Sequence, residues 1–166
     1  DVALTLQPPD HPGLKAQALA SGVLVALAPS GHWPEAQVGQ PMPLQALAGA
    51  PLIGLSSADP LSARLDGYLE AVEPPPRISI AVQTYSLARA MVESGAGLAV
   101  IDPFTALGAS STRTAIRPLS PPLPISLYAV TRANEAPVHT LGALLEIFAS
   151  QAQAQLDRLF ATAQST

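Results

Sequence analysis

Proline placement constrains this chain more than any other feature. Its eighteen prolines fall between segments of regular hydropathy, and a proline donates nothing to a helix or sheet ladder. They therefore punctuate a fold of short elements. With 48% hydrophobic residues over 166 positions, the chain can bury the core of one ordinary domain or of two small lobes. The longest apolar stretches, such as Val23 to Ala28, fall far short of the roughly 18 residues a membrane span requires. No transmembrane helix and no membrane partner are expected.

Charge excludes another class of partner. Eight Lys and Arg stand against twelve Asp and Glu, for a net −4, and no basic run provides a footprint for a phosphate backbone. This part of a protein is not expected to grip nucleic acid itself. Zero cysteines exclude disulfides and thiolate metal sites but are compatible with any compartment. Asp1 opens directly into a strand pattern with no signal-peptide pattern, so more sequence is expected upstream.

Periodicity orders the elements. Asp1 to Leu6 alternates as a strand, and the turn residues Pro8 to Gly13 close it. Leu14 to Ala20 is extended, and Val23 to Ala28 is a continuous apolar run of the kind buried on both faces. A helical turn at Leu44 to Ala48 leads into a strand at Pro51 to Leu55. A helix is predicted over Pro60 to Val72, capped by Asp59, with Leu61, Leu65, Tyr68, Leu69 and Val72 on one face. Ile78, Ile80 and Val82 alternate as a strand; Thr84 caps a helix that runs to about Ser94, and Gly95 and Gly97 stop it.

Leu98 to Ile101 is a buried strand, Pro103 to Leu107 a brief helix, and Gly108 to Thr114 a polar loop. Ile125 to Val130 is the last strand, and from Pro137 onward Leu141, Leu145, Phe148, Ala152, Leu156 and Leu159 step at helical spacing. Such alternation predicts an α/β fold with a largely parallel sheet and ligands at the carboxyl ends of its strands. The two apolar strands Val23 to Ala28 and Ile125 to Val130 are candidates for a paired hinge between lobes.

Several segments together carry a resemblance. Asp1-Val2-Ala3-Leu4-Thr5, Leu24-Val25-Ala26-Leu27-Ala28-Pro29-Ser30-Gly31-His32, Leu44 to Ile53, and Ala90-Met91-Val92-Glu93-Ser94-Gly95-Ala96-Gly97-Leu98-Ala99-Val100-Ile101-Asp102-Pro103 resemble, in that order, consensus stretches of the effector-binding domain of LysR-type transcription regulators. The resemblance implies a type 2 periplasmic-binding-protein-like α/β fold of two lobes joined by two crossover strands. It implies a first lobe, incomplete here, at 1–23 and 128–166, and a second lobe at 24–127. The family's DNA-binding winged helix-turn-helix is absent from these residues, so DNA is a partner only through that missing part.

In the family the effector lies between the lobes, against loops that follow strands. The matching positions are Ser56, Ser57, Thr84 and Tyr85, with Asp102, Pro103 and Phe104 beside them. Small polar residues at helix starts suit a carboxylate, so a small anionic effector is expected. The plainer reading of Ser57, Asp59 and Thr84 is helix capping. Tyr85 either lines a pocket or covers its lobe, and Asp102 either meets a ligand amino group or is an exposed carboxylate at a strand end. His11, His32 and His139 lack metal-ligand spacing and are expected to be solvated.

No nucleophile elbow, phosphate loop or dinucleotide fingerprint is present, so neither an enzyme nor a cofactor is expected. The leading expectation is a cytoplasmic sensor that couples metabolite binding to the geometry of a regulator oligomer. A transport-type solute receptor of the same fold is the alternative. Apolar surface near Asp1 and along the long helix predicts self-association.

Overall fold

Of the prolines in described positions, Pro118 alone stands inside an element; the others lie in turns or at element ends. The computed structural model describes residues 1–56, 60–134 and 139–161. The chain runs β1 (Ala3–Thr5), β2 (Leu14–Val23), β3 (Val25–Pro29), β4 (Met42–Pro43), β5 (Pro51–Leu55), α1 (Pro60–Leu69), β6 (Arg77–Val82), α2 (Tyr85–Glu93), β7 (Leu98–Ile101), α3 (Pro103–Ala106), β8 (Thr114–Ser120), β9 (Pro124–Arg132) and α4 (His139–Ala161). Short 3₁₀ turns occupy Glu35–Gln37 and Leu44–Leu47.

The strands form a three-stranded sheet in the order β1-β9-β2 and a six-stranded sheet in the order β4-β8-β3-β7-β5-β6. The small sheet is antiparallel throughout. In the large one, β5 runs parallel to β6 and β7, and β4 to β8, while β3 is antiparallel to both of its neighbours. One sheet is thus antiparallel and the other mixed, which corrects the expectation of a largely parallel one.

Alternation along β3 and β7 builds the core. Ala26, Ala28, Leu98 and Val100 face a layer closed by Leu61, Leu65 and Leu69 of α1. Val25, Leu27, Ala99 and Ile101 face the other way, toward Ala88 and Val92 of α2. Because side chains alternate faces with a period of two, a strand covered on both sides must be apolar at every position. That accounts for the uninterrupted runs. Thr84 caps α2 as expected, its Oγ1 accepting from Leu87 N at 3.1 Å. Helix α1 ends at Leu69, before Val72, and Tyr68 is exposed instead of joining the buried face. Asp59, the expected cap of α1, lies outside the described residues.

Strand β8 went unanticipated because Pro118 and Arg117 interrupt its apolar pattern. Leu119 N donates to Leu24 O across the sheet, so the nitrogen of Pro118, one residue back, points to the opposite edge where no ladder bond is lost. Arg117 is buried as well. Its guanidinium donates to Gln40 O, Pro41 O and Gln37 Oε1, each at 3.0 Å, and lies 5.6 Å from the Trp33 ring centre. These neutral acceptors pin the loop ahead of β4 onto β8. Burial pushes the Arg117 pKa below the ordinary arginine value.

The crossover also differs from expectation. The strand paired with Ile125 to Val130 is β2, in register from Leu14 opposite Arg132 to Val23 opposite Pro124. Val25 onward belongs to the large sheet. The chain changes sheets at Leu24, whose N–H donates to Leu123 O at 2.9 Å. The apolar run passes unbroken from Val23 at the end of β2 into β3, so hydropathy carries no mark of the switch.

Helix α4, about 35 Å long at 1.5 Å per residue, bridges the two sheets. Leu145 packs with Leu19 and Ala129 of the small sheet, while Leu159 and Phe160 pack on the large sheet's core. Gln153 Oε1 accepts from Ser21 N on the crossover at 3.1 Å.

Candidate ligand-binding cleft

Strand direction decides where a site can form. Parallel β5 and β6 bring their carboxyl ends together at Leu55 and Val82, and each leads toward a helix start. Facing them are the exit from β1 at Leu6, Gln7 and Pro8, and the first half of β9. The space between contains two adjoining hollows that share Leu6, Gln7 and Leu61. One, of about 380 Å³, is also faced by Thr5, Gln83, Thr84 and Tyr85. The other, of about 540 Å³, is also faced by Arg64, Ser126 and Tyr128. Both fall in the size range of small-molecule sites.

Local hydrogen bonds set the shape of the walls. Thr5 Oγ1 donates to Gln7 O at 2.6 Å and folds the turn that presents Gln7. Ser56 donates to Val82 O from its backbone N–H at 2.7 Å and from its hydroxyl at 3.1 Å, so it ties the exit of β5 to the end of β6. Ser126 Oγ lies 2.8 Å from Ser21 Oγ, joining the two crossover strands beside the hollow. Thr84 lies where the positive end of the α2 dipole meets the cleft.

Of the residues expected at the site, Thr84 and Tyr85 face the cleft, and Ser56 serves the scaffold at its rim. Ser57 lies outside the described residues. Asp102, Pro103 and Phe104 face neither hollow. Asp102 is 1% exposed, which corrects its reading as an exposed strand-end carboxylate. Its Oδ1 caps α3 by accepting from Thr105 N at 2.8 Å, and Oδ2 has no hydrogen-bond partner among the described residues. Pro103 packs against the crossover, its Cγ 2.9 Å from where a Cβ on Gly22 would stand. His11 and His32 are exposed, and no group of three or more metal-ligating side chains occurs among the described residues.

Arg64, Gln7, Gln83, Ser126 and Tyr128 were not singled out from sequence. Arg64 carried a local signal, since it lies one turn beyond Leu61 on α1 and i, i+3 neighbours share a helix face. The β9 residues carried none, because only the crossover brings them opposite α1. A third hollow of about 640 Å³ lies between the large sheet and the C-terminal half of α4, near Val38, Ile116 and Leu159. It adjoins no carboxyl end of β5 or β6.

Two sheets joined by a pair of crossover strands, with hollows of mixed apolar and polar lining between them, define the class of binding modules with the type 2 periplasmic-binding-protein-like fold. Within it, the chain belongs to the LysR substrate binding domain family, whose model matches residues 1–153. It is 33% identical over 145 residues to the HTH-type transcriptional regulator DgcR of Pseudoalteromonas sp. That match takes in 87% of this chain and 49% of DgcR, so the chain spans about half the length of that relative.

Among solved structures, the chain is similar in fold to the CcmR regulatory domain of Synechocystis PCC6803 in complex with 2-PG, with a TM-score of 0.66 and 16% identity over 100% of this chain and 74% of that one. It is similar also to HinK, a LysR family transcriptional regulator from Pseudomonas aeruginosa, with a TM-score of 0.69 and 20% identity over 93% of this chain and 54% of that one. The family match and the DgcR relative favour the regulator reading over the transport receptor. No helix among the described residues is long and apolar enough to cross a membrane.

Proposed function

We propose that this chain is the effector-sensing part of a cytoplasmic LysR-type transcription regulator, and that it binds a small anionic metabolite between its lobes without transforming it. The observation that carries the reading is the cleft itself. Amides, hydroxyls and one guanidinium converge there on an otherwise apolar wall, the make-up of a site that orients a small ligand. A domain of similar fold, the CcmR regulatory domain, is solved in complex with 2-PG.

The division into a partial first lobe (1–23 and 128–166) and a second lobe (24–127) is supported by the change of sheet at Leu24. A ligand that contacts both lobes prefers one mutual geometry, and that differential affinity is what shifts the regulator's equilibrium. DNA contact is assigned to a part of the regulator outside these residues. Self-association is supported by exposed apolar side chains on β1 and α4, among them Leu4, Leu144 and Ile147.

Thermal denaturation against a metabolite library tests the reading. A ligand present at 100 times its Kd stabilises by about 2.7 kcal/mol, or about 5–10 °C for a chain of this size. Gln7→Trp, at a position shared by both hollows, is expected to abolish that shift. A stabilising compound whose effect survives Gln7→Trp refutes the assignment of the cleft.

A further inference from the structure

The chain carries eight Lys and Arg, and four of them have partners elsewhere. Arg113 Nη2 pairs with Glu93 Oε2 at 2.9 Å, and Arg89 Nε lies 4.0 Å from Glu93 Oε1. Arg132 approaches Asp1 at 3.7 Å, and Arg117 is held by its three neutral acceptors. Among the described residues that face the two hollows, Arg64 is the one charged side chain. It makes no hydrogen bond or ion pair with another described residue. Helix α1 orients it: Leu61, one turn back, is 5% exposed and fixes that face of the helix against the cleft.

We infer that Arg64 is the anchoring residue of the cleft, pairing through its guanidinium with a carboxylate or phosphate on a short carbon skeleton. This inference rests on the cleft being the effector site. The planar fork of arginine matches two oxygens of either anion. Leu6, Leu61 and Ile125 supply the apolar wall for the skeleton, and Gln7 and Tyr128 supply polar groups across from the guanidinium. The described residues facing the hollows include no carboxylate, so among them Arg64 alone sets the sign of the charge presented to a ligand. Selectivity for anionic over neutral analogues of one shape therefore comes from this side chain.

The test uses succinate, L-glutamate, inorganic phosphate and 3-phosphoglycerate beside the neutral succinamide, L-glutamine and glycerol. Binding is read by thermal shift and calorimetry on the wild type, Arg64→Gln, Arg64→Lys, Gln7→Trp and the charge control Arg77→Gln. At least one anion is expected to bind, its neutral counterpart is not, and affinity is expected to fall as salt rises. The responding probes separate carboxylate from phosphate.

Arg64→Gln is expected to weaken that anion roughly 10- to 100-fold. Arg64→Lys is expected to keep part of the affinity, and Arg77→Gln all of it. If Gln7→Trp blocks a bound anion while Arg64→Gln leaves it untouched, the cleft stands and the anchoring role is overturned. If neither variant matters, both the cleft and the anchor are overturned. Binding of neutral probes alone, or of no anion, overturns the anchoring role.

Discussion

Truncating Leu156 to alanine tests how α4 is held. Only two side chains of this helix, Leu145 and Leu156, fall in the buried class among its described positions, and Leu156 is 1% exposed. It packs where the crossover comes closest: a Cβ on Gly22 would stand 3.3 Å from Leu156 Cδ1 and 2.9 Å from Pro103 Cγ. Removing three carbons forfeits about 2.4 kcal/mol of transfer free energy at about 0.8 kcal/mol each. Backbone at Gly22 and a proline ring cannot move in to fill the space, so a cavity cost adds to this. The expected total is about 3–4 kcal/mol, in the range of buried Leu→Ala changes.

Urea denaturation followed by circular dichroism measures the effect as a lower midpoint at unchanged slope. Leu144→Ala, at a position 57% exposed on the same helix, is the control and is expected to change stability by less than about 0.5 kcal/mol. Gly22→Ala in the wild type is expected to cost about 1–3 kcal/mol by overpacking. It should cost less in the Leu156→Ala background, where one of its two close contacts is gone. A loss below about 1 kcal/mol for Leu156→Ala, or equal losses for Leu156 and Leu144, refutes the claim that α4 is anchored at the crossover.

Asp102→Asn keeps the oxygen that caps α3 and is expected to change stability by less than about 0.5 kcal/mol, whereas Asp102→Ala should cost about 1 kcal/mol; chemical denaturation of the pair separates a capping role from an ionic one. Arg117→Met leaves Gln40 O, Pro41 O and Gln37 Oε1 without their donor and is expected to cost about 2–3 kcal/mol. Trp33, the chain's one tryptophan, reports the change directly through red-shifted emission. If Leu144 and Ile147 lie at a contact between copies, Ile147→Glu is expected to lower the mass found by light scattering at high protein concentration, and a monomeric wild type refutes that assignment.

Local chemistry determined much of this molecule. The Thr84 cap, the glycines after α2, the proline at the start of α3 and the alternation in β6 are decided by neighbours within a few residues, so they were legible from sequence. The family resemblance was legible too, because it rests on consecutive residues. Tertiary structure alone decided the rest. Whether Pro118 breaks a strand depends on which edge its nitrogen faces, and that depends on β3. Asp102 is buried instead of exposed because α3 turns back at once beneath the crossover. The sheet switch at Leu24 is silent in hydropathy, since the apolar run passes unbroken from the end of β2 into β3. The cleft joins Gln7, Arg64 and Tyr128 across wide separations in sequence. Their meeting is set by the pairing of β2 with β9, a long-range choice that no local pattern encodes.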